Sequence, residues 1–347
     1  MNRRFFTRNL ALGSFLPFVL NGQKSNRRPE RPALLKPHRL KEGDLVALIT
    51  PGSYIPDSGL EKAVKNLEEL GLRIAPGKNM RAKYGFVAGT DAQRLEDLHA
   101  AFANPEVKAV WCARGGYGCT RLLPYIDYQL IRRNPKVFIG YSDITALHLA
   151  FLQRAGLIGF HGPVASSTFN PYSVEHFRAV VMEGRSPHTI PLAEAYLEPE
   201  DDLYKYFTLR KGRVQGELQG GNLSLLAAMA GTEFELDATN KLIFLEDIEE
   251  RPYRVDRMLT QLRQSAKFHQ AAGFALGIFD GCNPDEGENS LSLKDTVIDR
   301  LADIPVPAAY GLSFGHISQQ CTLPLGVMAE LDTEARTLRL LESGVKW

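Results

Sequence analysis

The chain is poor in the residues that build several common kinds of site. It has four cysteines in 347 residues, Cys112, Cys119, Cys282 and Cys321. They are too few and too scattered for a disulfide framework, and no C-x-x-C or His/Cys cluster is spaced for zinc. They read as small buried apolar residues, with Cys112 and Cys119 the pair nearest in sequence should an oxidising compartment join any. No metal and no cofactor is expected. An excess of one charge is also lacking: 41 Lys and Arg stand against 40 Asp and Glu, a net charge of +1. No global field therefore favours nucleic acid or an anionic membrane. A phosphate cradle is missing as well, because Arg114-Gly115-Gly116-Tyr117-Gly118 has neither the P-loop lysine spacing nor the G-x-G-x-x-G order. There is no internal repeat and no low-complexity tract. The apolar stretch at residues 10–20 is too short to span a bilayer, so no stable membrane span is expected in the mature chain.

What is present is ordinary globular material, 44% hydrophobic and 23% charged, enough for about two domains. The first eight residues, Met1-Asn2-Arg3-Arg4-Phe5-Phe6-Thr7-Arg8, precede that short apolar stretch and resemble a twin-arginine export signal. A periplasmic or otherwise exported location is expected, and a cytoplasmic one if the leader is not functional. Residues 21–36 are polar, basic and Pro-containing and read as a flexible tether. Residues 1–36 are thus set outside the fold as export signal and tether.

From residue 37 to 184, strands and helices alternate. Strands are expected at 44–50, 72–74, 107–112, 136–139 and 157–160. Helices are expected at 57–70, from the capping box Thr90-x-x-Gln93 through 102, and at 143–154. Such alternation implies βαβ units. The expected fold is α/β, with a flavodoxin-like N-terminal parallel sheet carrying helices on both faces. Ligands bind beyond the C-terminal ends of strands in such sheets. Three loops meet there: Pro51-Gly52-Ser53, residues 114–118, and Tyr141-Ser142-Asp143. Residues 185–212, rich in proline and acidic residues, read as a linker. A smaller mixed α/β C-terminal domain is expected over 213–347. Its elements include a helix from 223, a buried strand at 241–245 ending at Glu246-Asp247, a helix at 253–268 and a strand leading to Gly315-His316.

Gly140-Tyr141-Ser142-Asp143 follows the apolar run Val137-Phe138-Ile139 and precedes a helical pattern. A serine at such a strand-to-helix turn is exposed, beside free N–H groups at the positive end of a helix, as in a nucleophile elbow. Ser142 as a plain helix cap fits the same pattern. A nucleophilic serine needs a base and a group to orient it. His316 follows a strand end, and Glu246 ends an apolar strand where a carboxylate would be half-exposed. His148 and His161 are alternative bases, and Glu246 also fits a solvated acidic run with Asp247, Glu249 and Glu250. Gly115 and Gly116 let a loop backbone approach a substrate. An N–H from that pair, with the Asp143 N–H, would make an oxyanion hole.

Six motifs occur in order: Arg114-Gly115-Gly116-Tyr117-Gly118, Gly140-Tyr141-Ser142-Asp143, His161-Gly162-Pro163, Gly220-Gly221-Asn222-Leu223, Phe244-Leu245-Glu246-Asp247 and Gly315-His316. The ordered set resembles the LD-carboxypeptidases, which include murein tetrapeptide carboxypeptidases and microcin C self-immunity peptidases, over residues 40 to 340. The resemblance implies a catalytic triad of Ser142, His316 and Glu246, and an oxyanion hole from the backbone of Gly115, Gly116 and Asp143. It implies a site at the junction of two domains, often within a homodimer. The implied activity is release of a terminal D-alanine from a muropeptide substrate, a peptidoglycan tetrapeptide. Such an enzyme must bind a free carboxylate, for which Arg114, Arg251 and Arg254 are candidates. Two other readings are carried: a microcin-type peptidase cleaving aminoacyl-nucleotide amides, and an exported, non-catalytic muropeptide-binding protein.

Overall fold

A computed structural model describes residues 31–347; the export motif and the first part of the tether lie outside the described residues. The first half of the chain lays down β1 (Leu45–Ile49), α1 (Asp57–Glu69), β2 (Arg73–Pro76), α2 (Asp91–Ala103), β3 (Val107–Cys112), α3 (Tyr128–Arg133), β4 (Val137–Gly140), α4 (Thr145–Ala150), β5 (Phe160–His161) and α5 (Pro171–Phe177). The second half adds β6 (His188–Ile190), β7 (Phe207–Arg210), β8 (Arg213–Asn222), α6 (Leu223–Ala228), β9 (Lys241–Ile248), α7 (Pro252–Ser265), β10 (Gly273–Asp280), α8 (Leu293–Leu301), β11 (Ala308–Tyr310), β12 (Leu323–Pro324), β13 (Met328–Asp332) and β14 (Thr337–Leu340).

Two sheets result. The first has the order β12-β5-β4-β3-β1-β2, parallel except for β12. Its parallel part, 2-1-3-4-5, is the flavodoxin-like order, with the mouth at the strands' C-terminal ends. The second sheet has the order β6-β14-β13-β8-β9-β10-β11-β7. Its centre, β8-β9-β10-β11, is parallel, and antiparallel strands close both flanks. Strands β9, β10 and β11 are buried along almost their full length, which is why β9 reads as an unbroken apolar run rather than an alternation.

Two expectations change here. The span 185–212 is not a free linker: β6 pairs with β14 and β7 with β11, so both are edges of the second sheet. The last residues of the expected tether are pinned too. Leu35 N–H donates to Gly156 O at 2.8 Å, Ile158 N–H to Leu35 O at 3.1 Å, and the Arg31 guanidinium pairs with Glu217. In both cases the partner is remote in sequence, so local composition carried no sign of it.

One hydrophobic core runs through both sheets. Phe244 on β9 stands in it, fully buried, with its ring 5.2 Å from His161 of β5 and 5.8 Å from Phe314. Gly221 and Asn222 meet α4 nearby, where Asn222 N–H donates to Thr145 Oγ1 at 3.0 Å. We expect Phe244→Ala to cost about 3–5 kcal/mol, the usual loss for a buried phenylalanine. Urea denaturation measures it. A loss below about 1 kcal/mol would mean that this ring does not knit the two sheets.

Candidate active site

The Gly140–Asp143 turn sits at the C-terminal end of β4. Ser142 adopts φ 65°, a left-handed value rare for a residue with a side chain. Strain of this kind, about 1–3 kcal/mol, persists where the surroundings over-determine it. Beneath the turn, His148 Nε2–H donates to Gly140 O at 2.8 Å, which fixes that ring's tautomer. His148 is fully buried, and burial takes its pKa down to about 3. It is a neutral strut under the turn. The capping reading of Ser142 is not met: Ser142 is the first residue of a short 3-10 turn whose cap position is Tyr141, and the cap position of α4 is Ile144.

The second sheet supplies a carboxylate and an imidazole. Glu246 is not at a half-exposed strand mouth. β9 continues past it to Ile248, and its side chain has no solvent exposure. His316 Nδ1–H donates to Glu246 Oε2 at 2.7 Å, so Nε2 is the nitrogen left with a free lone pair. Gly315 makes this approach possible: its φ is 117°, and a Cβ there would lie 3.0 Å from Glu246 Cβ and 2.8 Å from Ile278 O. Burial raises the Glu246 pKa, but the charge and hydrogen bond of His316 outweigh it, and the net shift is downward. For His316 burial lowers the pKa, but the Glu246 charge and hydrogen bond, with help from Asp247 and Asp280, leave it raised. Glu246 is therefore held as a carboxylate, and His316 gains basicity.

The two halves meet through Tyr141, whose ring lies 4.7 Å from the His316 ring and 6.0 Å from that of His161. Ser142 is the next residue. No hydrogen bond joins its hydroxyl to the His316 ring among the described residues; in free sites such bonds commonly close only around substrate. His161 is buried with neither ring nitrogen bonded, and burial takes its pKa to about 4.

Gly115 packs directly on the turn, where a Cβ would lie 3.0 Å from Ser142 Cβ and 3.1 Å from Tyr141 O. Its carbonyl accepts from Ser53 N–H at 3.0 Å, which ties the first loop to the second. The Gly116 and Asp143 N–H groups donate to no described residue. Of the three arginines, Arg251 pairs with Asp285 and Glu288, and Arg254 with Glu250. Arg114 is exposed beside Gly115, its one side-chain hydrogen bond among the described residues going to Tyr54 O at 3.2 Å. A cavity of about 400 Å³ opens beside His316, walled by Tyr196, Glu200, Asp201, Tyr204, Asp280 and Ile317. Much of that wall comes from the span expected to be a linker. All four cysteines are buried and free.

Arg94 escaped the sequence reading. Its side chain has no solvent exposure, and it donates to Pro51 O at 2.5 Å and Gly118 O at 2.9 Å while pairing with Asp91. The Asp143 carboxylate accepts from Cys119 N–H at 2.9 Å on the same loop. Together they clamp the loops around Ser142 from below. Arg94 lies on the buried face of α2 with Asp97, Leu98 and Ala101, and that spacing is the signal that could have found it.

Models of the LD-carboxypeptidase N-terminal and C-terminal domains match residues 46–162 and 215–331. A probable murein peptide carboxypeptidase of Bacillus subtilis (strain 168) is 41% identical over 315 residues, 89% of this chain and 95% of its own. The crystal structure of muramoyltetrapeptide carboxypeptidase from Oxalobacter formigenes is 31% identical, with a TM-score of 0.74 over 87% of this chain and 100% of that one. The structure of MccF in complex with glutamyl sulfamoyl guanosine gives a TM-score of 0.82 over 90% of this chain and 100% of that one; at 23% identity this is a likeness of fold.

Arg94→Lys keeps the charge but has one nitrogen where the guanidinium uses two, Nη1 for the Pro51 and Gly118 carbonyls and Nη2 for Asp91. We expect kcat for peptide hydrolysis to fall roughly tenfold or more, with KM held within about twofold. Steady-state kinetics with a folded variant check it; an unchanged kcat would show that the loops hold without the clamp.

Proposed function

Since this chain belongs to the LD-carboxypeptidase family and is a serine-type carboxypeptidase, we propose that it releases the terminal D-alanine of a murein tetrapeptide through Ser142, His316 and Glu246. The observation that carries the reading is the 2.7 Å bond from His316 to a fully buried Glu246, with the His316 ring against Tyr141 and a strained Ser142 next in the chain. The Ser142 hydroxyl attacks the carbonyl of the L,D bond, and His316 Nε2 takes its proton. Glu246 holds the ring in the Nδ1–H tautomer and stabilises the cation that forms. The negative oxygen of the tetrahedral intermediate is received by N–H groups of the Gly115-Gly116 pair and Asp143. Each such donor contributes about 3 kcal/mol. Collapse breaks the C–N bond, and the proton on Nε2 passes to the departing amine. Water, deprotonated by His316, then resolves the acyl-enzyme to the shortened peptide.

Arg114 is the arginine best suited to the substrate's terminal carboxylate, because Arg251 and Arg254 already hold carboxylates of the chain. Its guanidinium can take both oxygens at once. An exported and homodimeric enzyme is part of the same proposal: the leader motif supports export and the family resemblance supports the dimer. Cell fractionation and light scattering of the full chain read these directly.

Pure protein is expected to release D-alanine from a disaccharide-tetrapeptide faster than it cleaves an aminoacyl-sulfamoyl nucleoside. Ser142→Ala should lower kcat by about 10⁴-fold or more. Equal release by wild type and variant would end the serine mechanism, and preference for the nucleoside would end the substrate assignment.

The pH profile follows from the His316 shift. The base must be neutral to act, and its pKa is raised above the ordinary 6.5. Activity should therefore rise with pH through a midpoint above 6.5. Glu246→Gln removes the charge that raises it and leaves burial, which lowers it. The acidic limb of kcat/KM should move to lower pH while kcat drops about 10²–10⁴-fold. A limb that stays in place would detach Glu246 from the base.

A further inference from the structure

The strands of the first sheet have a second end, opposite the mouth that holds Ser142. There a concavity of about 540 Å³ is lined by residues just before β1, β3 and β4 and by the last residues of the chain. Five cationic side chains line it: Arg39, Lys41, Lys108, Lys136 and Lys346. None forms an ion pair with a described residue, although cations elsewhere in the chain pair freely with Asp and Glu. Asp44 is the one acidic side chain in the lining, and its carboxylate already accepts from Lys41 N–H at 2.8 Å. His38 is engaged with the Trp347 main-chain oxygen at 3.1 Å.

This concentration of charge is built into the fold. Lys108 and Lys136 flank the paired residues Ala109 and Val137 of the parallel strands β3 and β4, so the register sets them side by side. Lys136 is only 6% exposed. Its ammonium donates to a single backbone carbonyl, Asn104 O. Burial and the neighbouring Lys108 draw its pKa down to about 8, as expected of a cation short of counter-charge. The Arg39 guanidinium gives one bond to Met182 O at 3.2 Å, and its buried Nε has no partner. That same guanidinium lies 4.2 Å from the centre of the Trp347 ring, which is 75% exposed. In a chain of nearly balanced charge, a concave site with this local excess focuses potential and concentrates anions.

We propose that this concavity binds a phosphate- or diphosphate-bearing ligand whose attached ring or headgroup rests on Trp347. Three cations remain after Asp44 and the terminal carboxylate of Trp347 are set against two of the five. A single carboxylate would leave most of that charge uncompensated, whereas phosphoryl groups carry two or more negative charges. The volume matches sites for small ligands, which run from about 300 to 1,000 Å³. An exposed indole offers a flat apolar face to a sugar ring, and also suits a lipid headgroup. The phosphoryl group is common to both sources.

The two tryptophans give the readout. Trp111 has no solvent exposure and donates to Pro163 O, so a change in fluorescence on binding reports Trp347. Glucose 1-phosphate, pyrophosphate and vesicles of phosphatidylglycerol in phosphatidylcholine are titrated into the full chain. A saturable change, weakened by salt, is expected with at least one of them. Response to glucose 1-phosphate marks a soluble ligand, and response to the vesicles alone marks a headgroup. Trp347→Phe should abolish the signal. The double variant Lys108→Glu and Lys346→Glu reverses two exposed charges and should weaken binding at least tenfold, read by calorimetry, with tetrapeptide turnover within twofold of wild type. No saturable response to any of the three, or undiminished binding by the double variant, overturns the proposal.

Discussion

A carboxylate with no solvent exposure and an imidazole 2.7 Å away determine each other's state, and the site is arranged around that contact. Taking Glu246 out of water would normally protonate it, because burial disfavours the charged form. His316 reverses that outcome and in turn becomes more basic. Either partner alone would leave an uncompensated group in the interior, which is far costlier than the pair is stabilising. The contact therefore requires that the loop of Gly315 and His316 press against β9. That in turn requires the parallel centre of the second sheet to be complete.

The first sheet contributes strain rather than charge. Ser142 is held in a left-handed conformation by a strand behind it, a neutral histidine beneath it and glycine backbone packed against it. These contacts lie in one half of the chain, while His316 and Glu246 lie in the other. The shared core explains why the separation costs little precision. Phe244 stands two residues before Glu246 on β9 and packs on His161 of the first sheet, and α4 begins at Thr145, which accepts from Asn222 at the end of β8. Each half thus carries a chemical group within a few residues of a contact that fixes it to the other half.

Much of this was legible in the sequence, for identifiable reasons. The capping box at Thr90, the strand at 107–112 and the alternation that builds the 2-1-3-4-5 order are local patterns, and local patterns survive into the fold. Ser142, Glu246 and His316 stood out because each follows an apolar run. The burial of Glu246 was not legible, since a strand buried on both faces gives no alternation from which to read its end. The segment 185–212 looked like a linker because β6 is completed by a strand about 150 positions later, and no window along the chain contains both. Arg94 is a related case: it shares the buried face of α2 with Leu98 and Ala101, but nothing local shows that remote loops supply two carbonyls to it beside the Asp91 carboxylate of its own helix.

This unevenness has a consequence for how such a protein is specialised. The groups proposed to act on the bond sit where patterns are local and the backbone is fixed by strands. The cavity beside His316 is instead walled by Tyr196, Glu200, Asp201 and Tyr204, from the segment with the least local signal. Its rigidity comes from side chains: Tyr204 Oη donates to Asp280 at 2.5 Å, and the Tyr196 and Tyr204 rings stack at 5.9 Å. A substitution there alters the wall without touching Ser142, Glu246 or His316. Under the proposed function, substrate range can therefore change while the chemistry stays constant, because loops tolerate change that strands do not. On the proposed mechanism, the identity of the reacting groups says less about the preferred peptide than the stacking of these two tyrosines and the bond of Tyr204 to Asp280.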